Sequence, residues 1–171
     1  MSKHPDAGNH AQALAEACGR ALYARDRLCQ ALGIELLAIA PGSARLALQV
    51  RADMLQGLDL CHGGILFTLA DAALAYASNS RDQACVTLGA SIDYLAPARL
   101  GDRLEARASE LARGRRTASY DVRVVDQHGQ LLAVLRGRAC RVRGAVCARP
   151  DAGRADIVGG PADSRAEEER G

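Results

Sequence analysis

Tryptophan is absent from this sequence, and phenylalanine occurs once, at Phe67. The core of a 171-residue chain must therefore be assembled from Leu, Ala, Val and Ile, and the length suffices for one domain with a sizeable interior. Four scattered tyrosines make no base-stacking platform, and a formal net charge of +2 leaves no electrostatic footprint for nucleic acid. No apolar run is long and clean enough to span a bilayer, so no membrane partner is expected. The opening Met-Ser-Lys-His-Pro-Asp is polar with nothing apolar behind it. No signal peptide is expected, and the chain reads as soluble and cytoplasmic. The six cysteines (Cys18, Cys29, Cys61, Cys85, Cys140 and Cys147) contain no C-x-x-C pair, and several occupy apolar positions of periodic segments, as small buried hydrophobes do. Neither a disulfide framework nor a zinc site is expected; Cys61 and His62 are adjacent rather than at ligand spacing.

What is present is organised around residues 61–80. Gly63 and Gly64 open a run rich in Ala and Leu, both strong helix formers, and no Gly or Pro interrupts it from Ile65 to Ser80. The run is apolar on nearly every side, the pattern of a buried helix, and carries a single carboxylate, Asp71. A buried acid is costly unless it has a partner or a task. At the other end, the first amides of a helix lack intrahelical acceptors and carry the positive end of the macrodipole, while glycine lets a ligand approach them. An oxyanion-type donor and a lone acid are two of the parts that acyl transfer requires. The plainer alternatives are a tight turn at the glycine pair and a structurally satisfied Asp71.

Around this helix the hydrophobic period changes along the chain. Residues 11–32 repeat every 3.6 residues and predict one amphipathic helix ending at Gly33. Beyond it, alternating runs at 34–40 and 44–51 flank Pro41-Gly42-Ser43 and predict a hairpin. Four more alternating runs cover 85–94, 103–112, 117–126 and 130–143, the last changing parity around Gly137, which predicts a bulge there. Their connections are short enough for antiparallel neighbours, so they read as a meander. Within the run 85–94, Tyr94 reads as core and Ser91 as facing a ligand. The fold class is thus α+β: a curved antiparallel β-sheet wrapped around a central buried helix over residues 11–143, with a disordered N-terminus (1–10) and a disordered C-terminal tail (144–171) rich in Gly, Ala and Pro.

The run His62-Gly63-Gly64-x-x-Phe67-x-Leu69-Ala70-Asp71, followed by Asn79-Ser80, closely resembles the hotdog-fold thioesterases of the PaaI type. Ser91-Ile92-Asp93-Tyr94-Leu95-x-Pro97, Leu100-Gly101-Asp102 and the basic turn Arg113-Gly114-Arg115-Arg116-Thr117 fit the same family, and the resemblance spans roughly residues 14–143. It implies the hotdog fold, no cofactor, and hydrolysis of acyl-CoA thioesters, with aryl-acyl groups such as phenylacetyl or hydroxyphenylacetyl preferred. A medium-chain or broad-range thioesterase is the alternative. It further implies that Asp71 is the catalytic carboxylate, as nucleophile or general base, that the Gly63 amide polarises the carbonyl, that His62 braces the loop, and that Gly64 and the 113–117 turn meet the substrate and its CoA. Relatives carry asparagine six residues before the histidine, where it positions the attacking water; this chain has Gln56, one methylene longer. Hotdog thioesterases are dimers at least, and this branch is usually a tetramer. The same expectation follows from distance: Gly63 and Asp71 lie about 12 Å apart along one helix axis, too far to serve one carbon.

Two other classes act on or bind the same thioesters. A hotdog hydratase needs an acid–histidine pair, and of His4, His10, His62 and His128 only His62 is near the acid in sequence. A non-catalytic acyl-CoA sensor usually adds a DNA-binding helix-turn-helix, for which no segment is spare.

Overall fold

Helix α3 (Gly63–Ser78) lies across one face of a six-stranded antiparallel sheet, and the chain on either side of it builds that sheet from both edges. The computed structural model of the protein describes residues 5–148. The N-terminal helix α1 (Pro5–Tyr23) begins earlier than its apolar period suggests, so residues 5–10 are helical rather than disordered. It stops at Tyr23, and Asp26 caps a separate short helix α2 (Arg27–Leu32) by accepting the Cys29 N–H at 3.0 Å, so the single expected helix is two. Gly33 ends α2 in the left-handed conformation, φ 71°.

The hairpin β1 (Glu35–Ala40) and β2 (Ser43–Gln49) forms one edge of the sheet, followed by β4 (Arg103–Arg113), β5 (Thr117–Val125) and β6 (Leu131–Arg141). Only β4, β5 and β6 form a meander. Strand β3 (Cys85–Tyr94) pairs with β6 at the opposite edge and not with β4. Helix α3 crosses the sheet and delivers the chain to that far edge, and residues 95–102 return over the sheet end, where Cys61 N–H meets Ala98 O at 2.9 Å and Val50 N–H meets Asp102 O at 2.9 Å. The face turned to α3 is filled by Leu46, Leu48, Leu104, Ala106, Tyr120, Val122, Ala133 and Leu135, all essentially inaccessible. The opposite face is charged, with Glu105 held between Arg45 and Arg107 and Asp121 paired with Arg136.

Alanines 70, 73 and 77 of α3 are fully buried and let the helix approach the sheet closely. Gly137 shows how closely: a Cβ there would overlap the Leu74 Cδ1 methyl. The glycine is therefore a packing requirement and not the expected bulge. Gly137 stays in register, opposite both Tyr120 and Ala90, while the irregularities lie at Leu37 of β1, Leu88 of β3, Leu111 of β4 and Leu132 of β6. Gly137→Ala is expected to overpack this contact and cost about 1–3 kcal/mol. The penalty should shrink when Leu74→Ala is already present, as a double-mutant cycle in denaturant would read.

The end of α3 is fixed by buried polar groups. Asn79 donates to Ala75 O and Cys85 O and accepts the Cys85 N–H at 2.9 Å, tying the helix to the start of β3. Ser80 Oγ accepts the Gly42 N–H at 2.7 Å and donates to Ala77 O, tying it to the β1–β2 turn. The segment after β6 is also anchored. Val146 is only 4% exposed, its carbonyl accepts from Arg25 at 2.6 Å, and Ala84 N–H donates to Gly144 O. Residues 144–148 thus belong to the packed structure and correct the expected boundary at 143; the rest of the expected tail lies outside the described residues. A chain ending at Arg143 should lose about 1.5–3 kcal/mol, the burial of one valine side chain, measurable by thermal or urea unfolding.

Candidate active site

The N-terminus of α3 is built by the loop before it. After the 3-10 turn Ala52–Met54, Leu55 and Cys61 form an isolated bridge, and His62 N–H donates to Met54 O at 2.8 Å, which closes residues 55–61 into a small lobe. His62 is the N-cap: its Nδ1 accepts the Gly64 N–H at 3.0 Å, so a neutral ring carries its proton on Nε2. Ile65 N–H is taken by His62 O. Among the described residues the Gly63 N–H has no acceptor, so of these first amides it is the one left to a ligand.

Beside Gly63 lies a cavity of about 340 Å³, lined chiefly by Leu60, Cys61, Leu66, Leu95 and Pro97, with Gln56 and Tyr94 at its polar margin. Gln56 Oε1 is occupied by the Leu58 N–H at 2.8 Å, so its amide NH₂ is what it can offer to the cavity. Burial pushes the Cys61 thiol up to about 11, so it is not a thiolate nucleophile at neutral pH. Tyr94 is not core. It is 52% exposed, donates its hydroxyl to Gly63 O at 3.0 Å, and lays its ring 3.1 Å from where a Cβ on residue 63 would sit.

Asp71 lies two turns further along, on a flank of α3 that this chain's sheet leaves half-exposed together with Phe67, Thr68, Ala72 and Ala75. Its Oδ1 accepts from Thr87 Oγ1 on β3 at 3.0 Å, which orients the carboxylate, and among the described residues Oδ2 has no partner. Plain alternation would put Thr87 and Ser91 on one side of β3. The bulge at Leu88 puts them on opposite faces: Thr87 pairs with buried Ala139, whereas Ser91 pairs with exposed Arg136 on the charged face. Within one chain Ser91 therefore lies on the face away from Asp71, and Thr87 is the strand residue that reaches the acid. A glycine inside a strand is the sequence signal for such a bulge, and Gly89, next to Leu88, was the informative one.

The basic turn lies elsewhere. Arg113, Gly114, Arg115, Arg116 and Thr117 are all exposed, closed by Gly114 N–H to Thr117 O at 2.8 Å. Arg113, Gly114, Arg116 and Thr117 line a cleft with Ser78, the last residue of α3. Among the described residues, none of the three arginines is in an ion pair. Gly63, Asp71 and the basic turn thus sit at the start, middle and end of a 16-residue helix about 24 Å long. One chain brings Gln56, Gly63 and Gly64 together but not Asp71 or the basic turn with them.

A hotdog sheet packed on a helix that opens with two glycines behind a histidine cap and carries one acid is the architecture of a thioester hydrolase. The chain belongs to the thioesterase superfamily, whose family model matches residues 58–133. It is 40% identical over 126 residues to the acyl-coenzyme A thioesterase PaaI of Escherichia coli, covering 74% of this chain and 90% of that protein. The solved E. coli PaaI structure superposes with a TM-score of 0.78 at 38% identity, over 79% of this chain and 98% of the other. PaaI of Thermus thermophilus, a phenylacetic acid degradation protein, matches at 46% identity with a TM-score of 0.66, over 68% of this chain and 99% of that one. A Streptococcus mutans structure bound to acetyl CoA matches at 29% identity with a TM-score of 0.62, over 66% and 90% of the two chains.

Proposed function

We propose that the protein hydrolyses acyl-CoA thioesters, aryl-acyl groups of the phenylacetyl or hydroxyphenylacetyl type foremost, in sites shared between two copies of the chain. The observation that carries this reading is the separation of an unpartnered Gly63 amide beside an apolar cavity from an oriented, half-exposed carboxylate two turns away on the same helix. A two-fold axis that sets two α3 helices antiparallel offers Asp71 of one protomer to the Gly63 amide of its partner. It also carries the basic turn, at the C-terminal end of one helix, towards the N-terminal end of the other, where Arg113, Arg115 and Arg116 can pair with the phosphates of CoA.

In that setting the thioester carbonyl accepts from the Gly63 N–H, and the acyl group fills the cavity lined by Leu60, Leu66, Leu95 and Pro97. Asp71 acts in one of two ways. As general base it takes a proton from water, whose oxygen adds to the carbonyl carbon; as nucleophile it adds itself, giving a mixed anhydride that water then cleaves. In both, the C–S bond breaks, the CoA sulfur leaves and gains a proton, and one water is consumed per free acid released. Thr87 fixes the carboxylate rotamer, and His62 holds the loop so that Gly63 rather than Gly64 presents the free amide.

Edge strand β3 supports the pairing. Among the described residues no strand pairs with its outer edge, and Leu88, Tyr94 and Leu95 are 45%, 52% and 56% exposed along and just beyond it, an edge that a lone chain would leave open to aggregation. Thiol release measured over phenylacetyl-, hydroxyphenylacetyl-, benzoyl- and medium-chain acyl-CoAs tests the substrate class. Highest kcat/KM on the arylacetyl pair is expected, and a maximum on medium chains would replace that part of the reading.

A further inference from the structure

Cys18 on α1, Asp82 between α3 and β3, and Cys147 after β6 come from distant parts of the sequence. One ligand atom from each, two sulfurs and a carboxylate oxygen, nevertheless lie within 4.8 Å of one another. The two sulfurs are 3.6 Å apart. Thiolates about 2.3 Å from a tetrahedral zinc ion stand about 3.8 Å from each other, whereas a disulfide needs about 2.05 Å. The spacing is that of two ligands on one ion, and Asp82 adds an oxygen donor of the kind zinc also takes.

The surroundings hold the cluster in place without metal. Cys147 N–H donates to Asp82 Oδ1 at 2.8 Å, the neighbouring Val146 is buried, and its carbonyl is gripped by Arg25. Cys18 is buried under the segment while Cys147 is exposed, so one side of the cluster stays open to a water as fourth ligand. None of the three residues lines the cavity beside Gly63 or the cleft at the basic turn, so the cluster is separate from the candidate active site.

We propose that Cys18, Asp82 and Cys147 bind one zinc ion, which clamps the segment after β6 onto α1 and the α3–β3 loop. Binding replaces the two thiol protons, which pass to solvent, and involves no change of oxidation state. Because the ligands assemble only in the folded chain, the ion stabilises that fold. The sequence gives no warning of this set, since its ligands are 64 or more positions apart and follow no spacing motif.

The full chain, reduced, freed of metal with a chelator and desalted, is titrated with cobalt(II) as the optical probe. About one equivalent should bind with thiolate-to-cobalt charge-transfer bands and the visible bands of a tetrahedral site, and zinc should displace it. Zinc should also raise the melting temperature. Cys147→Ser, at an exposed position that leaves the core intact, should abolish the charge-transfer bands or weaken binding at least about tenfold and remove the zinc-dependent melting shift. Asp82→Asn should weaken binding in the same direction, and Cys140→Ser should leave it unchanged. Uptake of cobalt without charge-transfer bands, binding that survives Cys147→Ser, or a reduced chain that takes up no cobalt and instead reoxidises to a Cys18–Cys147 disulfide would each overturn the proposal.

Discussion

Asp71→Asn is expected to lower turnover of an acyl-CoA by about a thousandfold or more while leaving substrate binding nearly intact. Asparagine keeps the shape of the side chain and its acceptor for Thr87, but it can neither take a proton from water nor attack a carbonyl. The loss should therefore appear in kcat, with the affinity for a non-hydrolysable acyl-CoA analogue unchanged. Among the described residues Asp71 has only a hydroxyl as its partner, and it is half-exposed, so no buried counter-charge is stranded by the change and the fold should tolerate it. Retention of even a tenth of the wild-type rate would remove the carboxylate from the chemistry. Thr87→Val gives the graded comparison. It frees the carboxylate to rotate without removing it, and a fall in kcat of about tenfold, at unchanged affinity, would mark Thr87 as a positioning residue.

The parts of this site that are local in sequence were readable before the structure. Glycines at 63 and 64 followed by an uninterrupted Ala/Leu run specify a helix start, and the one acid in that run stands out because everything near it is apolar. What depended on strand register was not readable. A single extra residue at Leu88 reverses the parity of β3, so that Thr87 reaches the acid while Ser91, expected to face a ligand, lies on the opposite face. The pairing of β3 with β6 is equally non-local, because where a strand lands after a helix crosses the sheet depends on packing beneath the helix, not on the length of the next connection. Val146 illustrates the same limit at small scale. One valine in a Gly- and Ala-rich segment has no periodicity, and its segment is held by Arg25 and Asp82, partners so distant in sequence that no local pattern encodes them.

Mixing two inactive variants should restore activity if the sites are shared. Asp71→Ala removes the acid, and Gly63→Val puts a branched side chain where the Tyr94 ring already lies 3.1 Å from the Cβ position, blocking the approach to the free amide. Each variant alone has two dead sites per pair. In a mixed pair one composite site carries both lesions and the other carries neither. Equal mixing with free exchange makes about half the pairs mixed, each with one intact site, so about a quarter of wild-type activity should return. The distance along α3 underlies this expectation: eight positions span about 12 Å, while a reacting carbonyl must sit about 3 Å from its donor and within reach of the acid. Subunit exchange is verified independently, by mass-tagged protomers, before activity is read. Exchange without recovery would mean that Asp71 and Gly63 act within one chain. The geometry of α3 would then require Asp71 and the free Gly63 amide to serve different steps, and the antiparallel pairing along β3 would lose its functional basis.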